Sequence, residues 1–169
     1  TMFEGLKPRL VMFAIALVLS GTGLALAQEA DAEGCKDHPL FTRMRNYYID
    51  ECEKSFDELE VYLKDDETKT LEGEVTHIGY TLQENVQRPS PLQIRRNYEN
   101  AVKGIGGEVL LSEDAHATFR IVRDGKETWV KLDVWNGGNN YDIYILEITA
   151  MEQEVTADAM YDALSKDGF

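Results

Sequence analysis

The chain has 169 residues, 43% of them hydrophobic, and carries 31 acidic against 17 basic side chains, a formal net charge of −14. A polyanion of this kind is repelled by nucleic acids and by anionic membrane surfaces, which argues against both as partners. The length suits one domain with a sizeable core.

At the start, Lys7 and Arg9 precede the apolar run LVMFAIALVL (Leu10 to Leu19), and Ala25-Leu26-Ala27 follows a small-residue stretch. That is the pattern of a secretory signal peptide over residues 1–27. The run falls short of the roughly 20 apolar residues that a membrane-spanning helix needs, so no transmembrane segment is expected in a mature chain beginning near Gln28. A lipid anchor would need small residues directly before a cysteine, whereas Ala32-Glu33-Gly34 puts an acid before Cys35. Residues 1–27 hold only Lys7, Arg9 and Glu4 among charged residues, so 15 basic and 30 acidic side chains remain beyond them, a net charge of −15.

Residues 28–55 form the next segment, and its stretch GCKDHPLFTRMRNYYIDEC holds both cysteines. In an oxidising export compartment, Cys35 and Cys52 are expected to pair and staple this segment. Closing such a loop is worth roughly 3 kcal/mol in the chain-entropy model. A catalytic thiol with His38 as base lacks a third, orienting group. A zinc site from Cys35, His38 and Cys52 fits no usual ligand spacing.

From Phe56 to Phe169 an α+β domain is expected. In LEVYL, Leu59, Val61 and Leu63 alternate with polar neighbours as in a half-buried strand, and TLEGEVTHIGYTLQ continues with Ile78, Tyr80 and Leu82 on one face. Pro89 and Pro91 signal a helix start, and Leu92 to Ile105 places Ile94, Tyr98, Val102 and Ile105 on one stripe before Gly106-Gly107. Strands follow at about Glu108 to Leu111 and through ATFRIVRDGKETWVKLDVW, where Asp124-Gly125 marks a hairpin turn. Asn136 to Asn140 turns the chain into YDIYILEIT, and a second helix is expected over about Glu152 to Ser165. The fold class read from these elements is α+β, an antiparallel sheet with two helices packed on one face. The two halves echo each other weakly, as a duplicated β-β-(β)-α unit would.

Few residues point to chemistry. Glu72 and Glu74 share a strand face, the common arrangement of solvated acids, and DDETKTLEGE lacks the alternating ligands and central glycine of a calcium loop. His38, His77 and His116 stand far apart in sequence and are read as ordinary turn or strand residues. No metal or cofactor is expected. Arg88, Arg95, Arg96 and Lys103 gather positive charge around the first helix, either to bind an anionic polymer or to pair with acids such as Glu99. Trp129 and Trp135 fall on one face of a strand with Lys131 and Asp133 between them, as a carbohydrate-stacking surface, a domain contact or core residues.

Four ordered blocks, GCKDHPLFTRMRNYYIDEC, PSPLQIRRNYENAVKGIGGEVL, DGKETWVKLDVWNGGNNYDIYILE and the terminal ALSKDGF, resemble the N-terminal region of exported proteins of the outer-membrane protein A (OmpA) family. In these proteins a domain of this size precedes the OmpA-like peptidoglycan-binding domain. The resemblance spans roughly Gly34 to Phe169. It implies a Gram-negative envelope location, in the periplasm or at the outer membrane, and an adjacent wall-binding domain beyond the end of this chain. The aspartate and arginine with which OmpA-like domains hold peptidoglycan have no match here, so no ligand-binding residue is carried over. The expected function is a non-enzymatic accessory domain that packs against the OmpA-like domain and an envelope protein or wall component. A small-ligand or glycan-binding domain using the uncovered sheet face is the alternative. A hydrolase ranks below both because no nucleophile, base and orienting group assemble.

Overall fold

The computed structural model describes residues 28–150 and Lys166. In chain order its main elements are β1 (Tyr47–Tyr62), β2 (Thr68–Leu82), α1 (Pro91–Gly104), β3 (Glu108–Glu113), β4 (His116–Arg123), β5 (Lys126–Trp135) and β6 (Asn140–Glu147). All six strands join one sheet in the order β1-β2-β6-β5-β4-β3, and every neighbouring pair is antiparallel. The last strand is inserted between β2 and β5, where it ties the long β1–β2 ribbon to the β3–β4–β5 meander.

This corrects the expected fold class. Among the described residues the protein is mostly one six-stranded antiparallel sheet with a single α-helix packed on it, not an α+β fold with two helices on one face. The expected second helix over about 152–165 lies outside the described residues. The duplicated unit is not seen either, because one half supplies β1, β2 and α1 while the other supplies four strands, with β6 crossing back into the middle of the sheet. The reason lies in strand length. β1 is 16 residues long and β2 is 15, so the pair forms a ribbon far longer than the five-residue alternation LEVYL indicates. β1 begins at Tyr47 and runs through positions 55 and 56, where the strand region was expected to start.

The strand pattern sorts the residues onto two faces. One face buries Ile49, Ile78, Tyr80, Phe119, Val130, Leu132, Tyr141, Ile143 and Ile145 under Ile94, Tyr98 and Val102 of α1. α1 forms where the sequence signals it: Ser90 Oγ accepts from the Gln93 N–H at 3.2 Å, Pro91 occupies the first turn, and Gly106 leaves the helix at φ +81°. The stapled N-terminal segment completes this cover. Phe41 is buried edge-on against Tyr98 with ring centroids 5.7 Å apart, and the Met44 N–H donates to Tyr141 Oη at 3.0 Å. Tyr98 Oη donates to the same oxygen at 3.2 Å, and burial pushes the Tyr141 hydroxyl well above the usual tyrosine range.

On the opposite face the outer half of the β1–β2 ribbon bends back over the sheet. Leu59, Val61, Leu71 and Val75 pack there on Trp129 and Leu146 as a second, smaller core. The bend needs Gly73, since a Cβ at that position would lie 2.4 Å from the Glu147 carbonyl oxygen where β6 ends.

Cys35 and Cys52 are joined by a disulfide that ties the N-terminal segment to the edge strand β1. The double variant Cys35→Ser/Cys52→Ser is expected to lose about 3 kcal/mol, from release of loop-closure entropy in the unfolded chain. Urea denaturation of the oxidised protein and the variant checks this as a lower midpoint.

Candidate functional site

The residues singled out from sequence separate into three places. Arg95, Arg96 and Lys103 converge on one buried acid, Glu99, which is 1% exposed. Arg96 Nη1 donates to Glu99 Oε2 at 2.6 Å, Lys103 Nζ lies 3.9 Å from the same oxygen, and Arg95 Nε lies 3.8 Å from Oε1. Ser112 Oγ donates to Oε1 as well, and Arg95 Nη1 donates to the Asp114 carbonyl. Burial pushes the Glu99 carboxyl up, but the hydrogen bonds from Ser112 and Arg96 and the charges of Arg96 and Lys103 outweigh it, so it titrates below its ordinary value. The positive charge of this helix therefore clamps α1 to β3. Arg88 stands apart from that network, exposed beside Gly137 in the β5–β6 turn.

Trp129 and Trp135 also part company. Trp129 is buried in the smaller core, its indole N–H donating to Glu127 Oε1 at 2.7 Å and Lys69 Nζ lying 4.7 Å from the ring centroid. Trp135 is 52% exposed at the end of β5, and its indole N–H donates to Asp142 Oδ2 at 2.7 Å.

Trp135 belongs to a strip on the half of the sheet that the bent ribbon leaves open. Register builds it: Trp135 faces Asn140, His77 faces Tyr144, and Lys131 faces Tyr144 from the other side. The His77 ring stacks on Tyr144, centroids 4.4 Å apart and planes within 9°, and its Nε2 lies 3.1 Å from Asp142 Oδ1. Lys131 Nζ sits 5.4 Å from the Tyr144 ring and 5.1 Å from that of Tyr62, which reaches over from the ribbon's far end. His116 Nδ1 pairs with Asp133 Oδ1 at 2.8 Å beside Tyr62.

The edge of this strip carries a concentration of acids. Between Ile49 and Glu51 the β1–β2 register slips by one residue, so Asp50 and Glu51 together oppose Gly79. A Cβ on Gly79 would fall 2.8 Å from Asp50 Oδ1, 2.9 Å from Glu51 Cγ and 3.2 Å from Asp142 Oδ1, so these acids converge over the bare glycine. The hydrogen bond to Asp142 raises the His77 pKa above its ordinary value. Burial opposes this, and the charges of Asp142, Glu51 and Glu53 add to it. His38 behaves in the opposite way: burial lowers its pKa, and its Nδ1 accepts from the Leu40 N–H at 3.3 Å.

Sequence reasoning read the three histidines as ordinary turn or strand residues, and the strip gives two of them, His77 and His116, acid partners. The one available signal was that Asp142 and Tyr144 alternate on one face of β6, as Asp133 and Trp135 do on β5. Which face meets which histidine depends on register, which no local pattern states. No protein-family model matches the chain, and no curated protein matches it. What the site does is therefore argued from its own chemistry.

Two outcomes follow. Glu99→Ala is expected to cost about 3 to 5 kcal/mol, because it leaves the buried Arg95 without its counter-charge. Arg96→Ala and Lys103→Ala, whose side chains are exposed, are expected to cost less than about 1 kcal/mol each. Denaturant titration of the three variants checks the contrast.

His77 gives a pH signature. Its folded pKa is raised, so its stabilising contribution is complete below the unfolded value near 6.5 and is lost as pH rises through the folded value. The stability advantage of the parent chain over His77→Gln is expected to shrink as pH rises above the ordinary histidine value of about 6.5. Comparing the two chains cancels the opposite contribution of His38, and a difference that is flat or grows with pH contradicts the assignment.

Proposed function

We propose that this domain is a non-enzymatic interaction module of the cell envelope, an accessory domain that works beside an OmpA-like peptidoglycan-binding domain. The envelope setting rests on the four sequence blocks that resemble OmpA-family proteins and on the export pattern of residues 1–27. The disulfide between Cys35 and Cys52 fits an oxidising compartment, and among the described residues no helix is long and apolar enough to cross a membrane.

The observation that carries the reading is the open half of the sheet. One face is closed by α1 and the stapled segment, whereas the other leaves Trp135 and Tyr62 exposed beside His77, Asp142, Tyr144 and Lys131. Such a strip has the amphipathic aromatic residues that dominate protein contacts. The cleft between the ribbon tip and the β3–β4 turn, lined by Tyr62, Asp65, Asp66, Leu111, Glu113 and His116, is likewise acidic and open. A second reading, glycan binding by the same strip, is favoured by one feature: the Trp135 indole is fixed through Asp142 in an exposed position where a sugar ring can stack.

Sedimentation with peptidoglycan sacculi separates the two. The purified chain is expected to stay in the supernatant with sacculi alone and to pellet when an OmpA-like domain from a protein sharing the four sequence blocks is added, and Trp135→Ala is expected to abolish pelleting. Pelleting with sacculi alone that Trp135→Ala removes would move the function to the glycan reading. No pelleting under either condition would contradict both.

A further inference from the structure

The acidic edge of the strip has a composition that interaction alone does not require. Glu51, His77 and Asp142 each offer one ligand atom, and these atoms lie within 4.8 Å of one another. They come from three neighbouring strands, β1, β2 and β6, so the sheet holds their backbones in fixed register.

We infer that Glu51, His77 and Asp142 form a binding site for a divalent transition-metal ion, Zn²⁺ by preference, on the open face of the sheet.

Four features support this. The β1 bulge sets Glu51 beside Asp50 over Gly79, which carries no side chain to fill the space. Asp142 divides its oxygens: Oδ2 is held by the Trp135 indole N–H, while Oδ1 faces His77. Such an outer hydrogen bond fixes a ligating carboxylate in orientation. Stacking on Tyr144 fixes the His77 ring plane in the same way. Finally, the ligand set is mixed. An imidazole nitrogen with two carboxylates suits zinc and its neighbours, whereas calcium and magnesium are held by oxygen alone. His77 Nε2 and Asp142 Oδ1 already stand 3.1 Å apart, and Glu51 is exposed on an edge strand, where its side chain can adjust toward them.

The His77–Asp142 contact is then the arrangement in which a proton, or a hydrogen bond, stands where the metal would sit. Zinc binding would stitch the edge strand β1 to β6 across β2. The inference does not depend on the interaction reading, since metal uptake can hold or fail whatever the strip contacts.

Titration of Zn²⁺ into the purified, metal-free chain, followed by calorimetry and by tryptophan emission, tests it. One Zn²⁺ per chain is expected, with a change in emission through Trp135. Glu51→Gln and His77→Gln are each expected to weaken binding at least tenfold, while His116→Gln, at the other end of the strip, leaves it unchanged. Mg²⁺ at equal concentration is not expected to compete. Glu51→Gln alters an exposed residue and tests the site even if His77→Gln folds poorly. Absence of saturable binding, or an unchanged affinity in Glu51→Gln, overturns the inference, as does equal competition by Mg²⁺.

Discussion

The structure depends on the pairing of β2 with β6. β6 is the last strand of the sheet in sequence and the third in space, so the β1–β2 ribbon and the β3–β4–β5 meander become one sheet only when it enters between them. Its eight register pairs with β2 span Glu74 to Thr81, and a matching set links it to β5 from Thr128 to Trp135. A strand in that position must satisfy both faces. Tyr141, Ile143 and Ile145 go under α1, and Leu146 goes under the bent ribbon. Asp142 and Tyr144 are left for the open half. Closing this ladder joins residues about sixty to seventy positions apart, a loop-closure cost that must be met before the contacts form.

From that insertion the candidate site follows. His77 on β2 meets Asp142 and Tyr144 only because β6 lies beside it, and Trp135 reaches Asp142 only because β5 lies on the other side. The bulge at Asp50 then adds Glu51 from the edge. Each contribution comes from a rigid strand, which holds side chains more firmly than a loop does. On α1, three of the basic side chains have an acid partner within the fold. Glu99 is placed where Arg95, Arg96 and Lys103 can all reach it, and their charge serves to fasten α1.

Where a signal is local, the sequence was informative. Ser90-Pro91 starts the helix, Asp124-Gly125 turns the β4–β5 hairpin with φ of 52° and 75°, and the alternation in β5 and β6 marks their strands. The first half of β1 was missed because YYIDECEKSFDE is crowded with acids and carries no apolar alternation past Ile49. An edge strand needs none there, since it is buried on at most one side. The expectation of two helices on one face failed for a related reason. Strand length was judged from apolar alternation alone, so the long polar ribbon was undercounted and the sheet's share of the fold with it. The site was illegible for a third reason: positions 51, 77 and 142 are related only through register, and composition alone gave each acid among many no distinction.

The acids of β1 serve two ends that pull against each other. Asp50, Glu51, Glu53, Asp57, Glu58 and Glu60 keep an exposed 16-residue edge from pairing with another chain. At the bulge, however, the same charges are turned toward Asp142, and carboxylates a few ångströms apart repel one another. The His77 imidazole lies at the point of convergence, where the hydrogen bond to Asp142, against the opposing effect of burial, and the charges of Asp142, Glu51 and Glu53 raise its pKa. Protonation of His77 offsets that repulsion, and the offset is lost as pH rises through its raised pKa. A cation bound by Glu51, His77 and Asp142, as proposed above, would offset the same repulsion, so charges that keep the edge from pairing would also serve to hold the ion.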